Sequence, residues 1–304
     1  MKLHRHADLS DIQTESLHKY SQLREILLQI PSALLAFSGG VDSTFLLAAW
    51  HDTWAKSKSN EPYPSVIVTP TSSITPRMLA CTVASPLLPQ GTLDLTLSLT
   101  QQIGAEYRVV HMDPLSSTLV SSNPPDRCYH CKKMIFQSLN ELASAEGLPL
   151  VLNGEQVDDH LDFRPGHRAL KELGIRSPLV EAGMGKKHVR CLSQMMGLPT
   201  WDHPSMACLA SRIPYGTPLD QQKLLQVDEA ERYLRSIGYN NIRVRHHGEI
   251  ARIEAGDSIE KFLDSSLTSS IVAKLKSLGF RYVTIDLEGY RTGSLNPEMD
   301  ESDR

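Results

Sequence analysis

The stretch LLAFSGGVDSTFLLAAW at 34–50 restricts the fold more than any other part of the chain. Leu34-Leu35-Ala36-Phe37 has the composition of a short buried strand, and the apolar pattern that resumes after Asp42 and Ser43 predicts a helix over 42–51. Between them, Gly39 and Gly40 allow positive φ and close backbone approach. A strand that turns through glycine into a helix leaves free N–H groups and the positive end of the helix dipole at the turn, which favours an anion. Ser38 and Ser43 add hydroxyl donors. The stretch lacks the lysine and the length of a Walker loop, GxxxxGK[ST]. A bare SGG could equally be a turn capped by Asp42 or Ser43. Set directly after an apolar strand, SGGxDS reads as a phosphate loop.

Apolar runs at 65–68, 79–84, 107–111 and 148–152 alternate with helical patterns at 91–103 and 131–145, and 11–29 reads as a leading helix. This alternation predicts an α/β domain with a parallel sheet covered on both faces, ligands binding at one edge beyond the strand C-termini. After PYGTPLD the pattern changes to helix 221–237, strands 241–245 and 250–254, helix 261–278 and strand 280–287. We therefore expect an N-terminal domain over 1–217 and a smaller C-terminal α+β domain over 218–304, with a polar, disordered tail at NPEMDESDR.

The chain has 304 residues, 40% of them hydrophobic, and a net charge of -4 at pH 7. That balance and the lack of a basic run argue against a nucleic-acid binder. No stretch has the length of a membrane span or the apolar core of a secretion signal, so a cytosolic protein with no membrane partner is expected. Five cysteines in a reducing compartment are thiols or ligands. Cys81 and Cys191, in apolar contexts, read as core. Cys128-x-x-Cys131, with Cys208 further on, leaves three readings. A structural zinc would need a fourth ligand, for which His130, His160 or Cys191 could serve. A redox dithiol would leave Cys208 idle. An iron–sulfur cluster on three cysteines would leave one iron open. A helix starting near Cys131 would lower thiol pKa through its dipole.

Further motifs fix the resemblance. SGGVDS, SPLLP (85–89), RCYHCKK (127–133), LNGEQVDD (152–159), DFRPGHRAL (162–170), PLVEAG (178–183), ACLASRIPYG (207–216), RVRHHGEIARIE (243–254) and GYRTGSLN (289–296) occur in order along the chain. They resemble the PP-loop ATP pyrophosphatases, and within them the LarE family of ATP-dependent sulfur transferases of nickel-pincer cofactor synthesis. The resemblance implies that Ser38, Gly39, Gly40, Asp42, Ser43 and Gly154 hold the diphosphate of ATP, with Asp42 on Mg2+. It implies a pyridinium mononucleotide substrate whose carboxylates are adenylated and converted to thiocarboxylates, and a [4Fe-4S] cluster on Cys128, Cys131 and Cys208 that carries sulfide from a separate donor. It also implies a homo-oligomer built through the C-terminal domain. One segment departs from the pattern. ACTVASPLLP supplies the second strand, whereas SVIVTPTSSITPRM before it is extra sequence or an alternative second strand.

Other residues carry two readings. Arg243 and Arg245 alternate along a strand and face one side; they are a fork for the substrate phosphate or two solvated edge arginines. Ser211 and Arg212, close after Cys208, line the reaction centre by resemblance, and Ser211 would equally suit a helix cap. Glu231 and Glu254 are acidic positions linked in the family to activity or metal, or simple surface carboxylates. His246 and His247 could touch substrate. Asp158, Asp159, Asp162 and Arg164 are neighbours of Mg2+ and ATP or a salt-bridged turn. Two rival functions share the loop: a tRNA thiolase with a three-cysteine cluster, and an ammonia-using synthetase with structural zinc on CxxC.

Overall fold

A computed structural model describes residues 3–58, 75–161, 165–204, 206–239, 241–256, 262 and 265–291. The apolar run at 65–68, Asp162, Arg164, the side chain of His160 and the tail NPEMDESDR lie outside the described residues.

The chain forms two compact units. The first comprises residues 1–84, 91–112 and 131–205, and the second 85–90, 113–130 and 206–304. In the first unit, α1 (Leu3–Leu28) precedes β1 (Ser32–Ala36), α2 (Val41–Lys58), β2 (Arg77–Ala84), α3 (Thr92–Ile103) and β3 (Glu106–His111). After α4 (Thr118–Ser121), a short turn of the second unit, comes α5 (Arg127–Ala145). Then follow β4 (Val151–Leu152), α6 (Gly166–Glu172), α7 (Pro178–Glu181) and α8 (Lys186–Met195). The four strands are parallel in the order β3-β2-β1-β4, and the sheet is buried on both faces: Ala33 and Leu35 face one apolar cluster, Leu34 and Leu79 the other. Continuous apolar strands such as SALLA are what a sheet covered on both sides requires.

Strand order explains where a ligand can sit. The chain steps from β1 outward to β2 and β3, then returns to the other side of β1 for β4. The loops leaving β1 and β4 therefore diverge, opening a crevice beyond the carboxyl ends of those strands. The second strand is β2, which pairs residue for residue with β1 and runs directly into SPLLP. The sequence expectation for ACTVASPLLP is the one the pairing follows.

The second unit holds α9 (Gln221–Ser236), β5 (Ile242–His247), β6 (Ile250–Ala255), α10 (Ser265–Ser277) and β7 (Tyr282–Ile285). β5 and β6 are an antiparallel hairpin, and β7 pairs parallel to β6. Among the described residues no helix is long and apolar enough to cross a membrane.

Two local expectations change. The phosphate-loop helix runs to Lys58, not His51. The helix carrying CxxC starts at Arg127, before Cys128, although apolar periodicity is visible only from Cys131 onward. Its start is fixed by Pro124 and Pro125, after which Arg127 N–H donates to the Pro124 carbonyl at 2.9 Å. Cys128 is thus the second residue of the helix, and its positive end bears on Cys128 more than on Cys131.

Candidate functional site

The β1–α2 turn is built as the sequence suggests. Gly39 has φ 73, and a Cβ there would stand 2.8 Å from the Thr96 methyl, so both the conformation and the space demand glycine. Thr96 is itself tied to Tyr107 at 2.6 Å. The Gly40 N–H donates to Ser38 Oγ at 3.3 Å, and the Ser38 and Ser43 hydroxyls meet at 3.1 Å. The Thr44 N–H reaches back to the Gly40 carbonyl at 3.0 Å, making the first bond of α2.

Opposite this turn is the segment after β4. A Cβ on Gly154 would stand 2.8 Å from the backbone N of Ser43 and 2.9 Å from its Cα. Gly154 is therefore needed for the two loops to approach. Between them is a cavity of about 180 Å3, lined by Ser38, Gly40, Asp42 and Ser43 from one loop and by Gly154, Glu155 and Asp159 from the other. The structure thus brings five of the six sequence-derived loop positions to one cavity, with Gly39 packed behind it.

Asp159 lines the cavity, in keeping with one of the two readings the sequence left for it, whereas Glu155 was not singled out, though it stands in LNGEQVDD. Glu155 is held by two cations: Lys132 Nζ donates to Oε1 at 2.6 Å, and His167 Nδ1 meets Oε2 at 2.9 Å. Burial alone would raise its pKa, but the His167 hydrogen bond and the Lys132 charge outweigh that and hold it down to about 2. His167 is raised in return, chiefly by its bond to Glu155. Asp159 Oδ2 accepts from the Gln156 N–H, and Asp158 Oδ2 from the Lys186 N–H.

Three carboxylates around an anion-binding turn would repel a bare diphosphate. They suit one that arrives with a divalent cation. Mg2+ binds through one or two carboxylates plus phosphate oxygens rather than in a protein cage. Carboxylates of this kind are donors that Mg2+ takes.

In the second unit Arg212, Arg243 and Arg245 are buried. Arg212, 2% exposed, pairs with Glu231, 1% exposed; its Nε and Nη2 donate to the two carboxylate oxygens, each at 2.9 Å. Arg235 and the Val244 N–H also donate to Glu231. Burial would raise Glu231, and Arg212 overrides it, leaving the pKa lowered. Arg243 and Arg245 do face one side of β5, but both are buried. Arg245 donates to Glu254 Oε2 at 2.7 Å and to the Ser211 carbonyl at 2.6 Å. Arg243 lies over the Tyr290 ring at 5.0 Å, its pKa lowered by burial. The reading of Arg243 and Arg245 as edge arginines in water is thereby removed. Glu254 is fully buried, with Oε1 on Arg252 and Oε2 on Arg245. Ser211 Oγ donates to the Cys208 carbonyl at 2.8 Å, inside a short 3-10 turn at Leu209–Arg212. His246 is buried against Phe280 and bonded to Gln226.

None of the five cysteines is in a disulfide. Cys81 is core, and burial pushes its pKa up to about 11. Cys191 is only half-buried, so the core reading holds for Cys81 alone. Cys128 and Cys131 lie three residues apart on α5, and Cys208 is exposed. Arg127 Nη2 donates to Cys128 Sγ at 3.4 Å. Burial works against the charge on Arg127, yet Cys128 and Cys208 acting on it outweigh that and leave its pKa raised. Thiol sulfur is the donor type that an iron–sulfur cluster takes. Among the described residues, no group of three or more His, Cys, Asp or Glu is arranged to hold a metal ion.

Strand, glycine turn, helix N-terminus and an acid-lined cavity at the point where strand order reverses define an α/β protein with a cavity beyond the carboxyl ends of its strands. No family model matches the chain. It is 38% identical over 279 residues to an uncharacterized protein of Synechocystis, covering 91% of this chain and 97% of that one. It is 36% identical over 282 residues to pyridinium-3,5-bisthiocarboxylic acid mononucleotide synthase of Lactiplantibacillus plantarum, covering 92% and 95%. NMN synthetase from Francisella tularensis covers 65% of this chain and 76% of its own at 15% identity, with a TM-score of 0.44. The chain belongs to the pyridinium-3,5-bisthiocarboxylic acid mononucleotide synthase family, as its motifs implied.

Proposed function

We propose that this protein is an ATP-dependent sulfur transferase that converts carboxylates of a pyridinium dicarboxylate mononucleotide to thiocarboxylates in nickel-pincer cofactor synthesis. The observation that carries this reading is the end-to-end match to the synthase, extending across both the loop cavity and the cysteine segments. The N–H groups of the Ser38–Ser43 turn and the dipole of α2 hold the β,γ-diphosphate. Electrostatic stabilisation of the departing diphosphate is the main contribution of this turn to the rate. Mg2+, held by Asp42 with Glu155 or Asp159 near, screens that diphosphate when bound. A substrate carboxylate attacks the α-phosphorus, and an acyl-adenylate and pyrophosphate result. Sulfide then attacks the acyl carbon and AMP leaves.

Cys128, Cys131 and Cys208 are the residues assigned to a [4Fe-4S] cluster, which when bound supplies a sulfide at its open iron. Arg243 and Arg245 are assigned to the substrate phosphate, a planar donor pair suited to it. Both are already desolvated, so an incoming phosphate would meet a poorly hydrated, strongly positive site. Ser211, Arg212 and Glu231 are assigned to the reaction centre, with Arg212 and Glu231 acting through the Ser211 segment that their ion pair holds. Glu254 remains the weakest of these assignments, since a metal would displace an arginine from it. The reaction is assigned to the cytosol, with a sulfide donor and a second copy of the chain as partners.

The test is to incubate the anaerobically purified protein with ATP, Mg2+, a sulfide source and the pyridinium dicarboxylate mononucleotide. Mass spectrometry should find carboxylate oxygen replaced by sulfur. No sulfur incorporation, with the carboxylate converted to an amide when ammonium replaces the sulfide source, would overturn the proposal in favour of an amide-forming synthetase.

A further inference from the structure

We propose that Asn123 and Arg127 are positioning residues: a buried clamp that holds the Cys128 end of α5 and the Cys208 loop together. It rests on the sulfur-transfer reading only for its purpose, since the geometry stands without it. All of the residues involved belong to the second unit.

Asn123 is fully buried and is the one described non-glycine residue with positive φ, at 58. Asparagine tolerates that conformation better than other side-chain-bearing residues. Its Nδ2 donates to three carbonyls of the segment after Cys208: Ile213 at 3.3 Å, Pro214 at 2.8 Å and Thr217 at 3.0 Å. Its own carbonyl accepts from the Gly216 N–H at 2.9 Å, and the Ser121 carbonyl accepts from Leu219 at 2.7 Å. One side chain thus pins one face of the 213–217 loop.

On its other side, Asn123 Oδ1 accepts from Arg127 Nη1 at 2.5 Å. Arg127, 3% exposed, also donates from Nη1 to the Ala210 carbonyl at 3.1 Å, two residues beyond Cys208. Its Nη2 meets Cys128 Sγ at 3.4 Å, and the Tyr215 ring lies under the guanidinium at 5.6 Å. The planar fork therefore touches both cysteine-bearing segments at once, which a point-charged lysine could not do. Arg245 and the Arg212–Glu231 pair hold the turn after Cys208 from the side of β5 and α9, and the Asn123–Arg127 clamp is what ties that segment to the Cys128 end of α5, some 80 positions away.

Two substitutions separate positioning from stability. Asn123→Gly keeps the backbone conformation and removes every side-chain bond. Arg127→Lys keeps the charge and removes the fork. Both are made in a Cys131→Ala background, so that Cys128 and Cys208 are the pair under test. The probe is phenylarsine oxide, which loses water as it bonds two neighbouring thiols. The Cys131→Ala parent should take up the arsenical in a complex that resists competition by a monothiol. Each clamp substitution should weaken that binding about tenfold or more, as the second thiol loses its effective concentration. Cooperative thermal unfolding serves as the fold control, and if Asn123→Gly fails it, Arg127→Lys decides alone. A parent with no dithiol binding, or folded variants that bind like the parent, would overturn the clamp. Failure of thiocarboxylate formation by the unsubstituted protein, with dithiol binding intact in the Cys131→Ala parent, would instead strike at the proposed function.

Discussion

Replacing Gly154 by alanine tests whether the cavity is held open by the close approach of two backbones. The added Cβ would stand 2.8 Å from Ser43 N, 2.9 Å from Ser43 Cα and 3.2 Å from the Asp42 carbonyl carbon. Carbon contacts are optimal near ~3.5–4.0 Å, so one loop must retreat by roughly 1 Å. Overpacking of this kind costs about 1–3 kcal/mol. The atoms that must move are backbone at the first turn of α2, where no flexible side chain can absorb the strain. The same retreat pulls the Ser43 N–H away from a bound diphosphate, and each ~1.4 kcal/mol lost there weakens binding about tenfold. Gly40→Ala is the control. Its Cβ meets only Ser38 Oγ, at 3.4 Å, a hydroxyl that can rotate aside. We expect Gly154→Ala to lower the urea midpoint and to weaken Mg-ATP affinity in calorimetry by tenfold or more. Gly40→Ala should keep stability within about 0.5 kcal/mol. A Gly154→Ala protein with the parental midpoint and affinity would refute the reasoning.

Other consequences follow from the ion pairs and thiols. Glu231→Ala leaves the buried Arg212 without its counter-ion and should destabilise by about 3–5 kcal/mol in urea titration. Glu155 titrates near 2 when folded, below its ordinary range, so its contribution is present above about pH 4.5 and is lost as pH falls toward 2. That contribution is at most ~3 kcal/mol. His167 is raised, so its share is full below its unfolded pKa and is lost as pH rises through the folded value. Urea midpoints of the parent should thus exceed those of Glu155→Gln most between these limits, and converge in strong acid. Oxygen-free purification should yield iron and acid-labile sulfide in matched amounts, lost on changing Cys128, Cys131 or Cys208 to alanine. Zinc without iron, or full iron in Cys208→Ala, would count against the cluster.

The phosphate loop was legible because its requirements are local: strand, glycine turn and helix start are consecutive, and positive φ at Gly39 can be met by few residues. The parallel sheet was legible from its alternation, and β2 from its run into SPLLP. What escaped is what depends on partners distant in sequence. Arg212 and Glu231 read as separate polar residues, yet their 19-position separation closes into a buried bidentate pair. Arg243 and Arg245 were rightly put on one face of a strand, but periodicity says nothing about what covers that face. Lys132 and His167 converge on Glu155 from two helices, a meeting no spacing rule foretells. Asn123 was not singled out at all, and only the fold shows the three carbonyls that its amide meets.

The central claim is that carboxylate activation belongs to the glycine loop and sulfuration to the cysteines. Single-turnover pyrophosphate release tests it most directly. With Mg-ATP and the pyridinium dicarboxylate mononucleotide, the parent and Cys208→Ala should both release a burst of pyrophosphate, Asp42→Asn should release none, and omission of the carboxylate should abolish it. Pyrophosphate formed without the carboxylate, or undiminished in Asp42→Asn, would contradict the account.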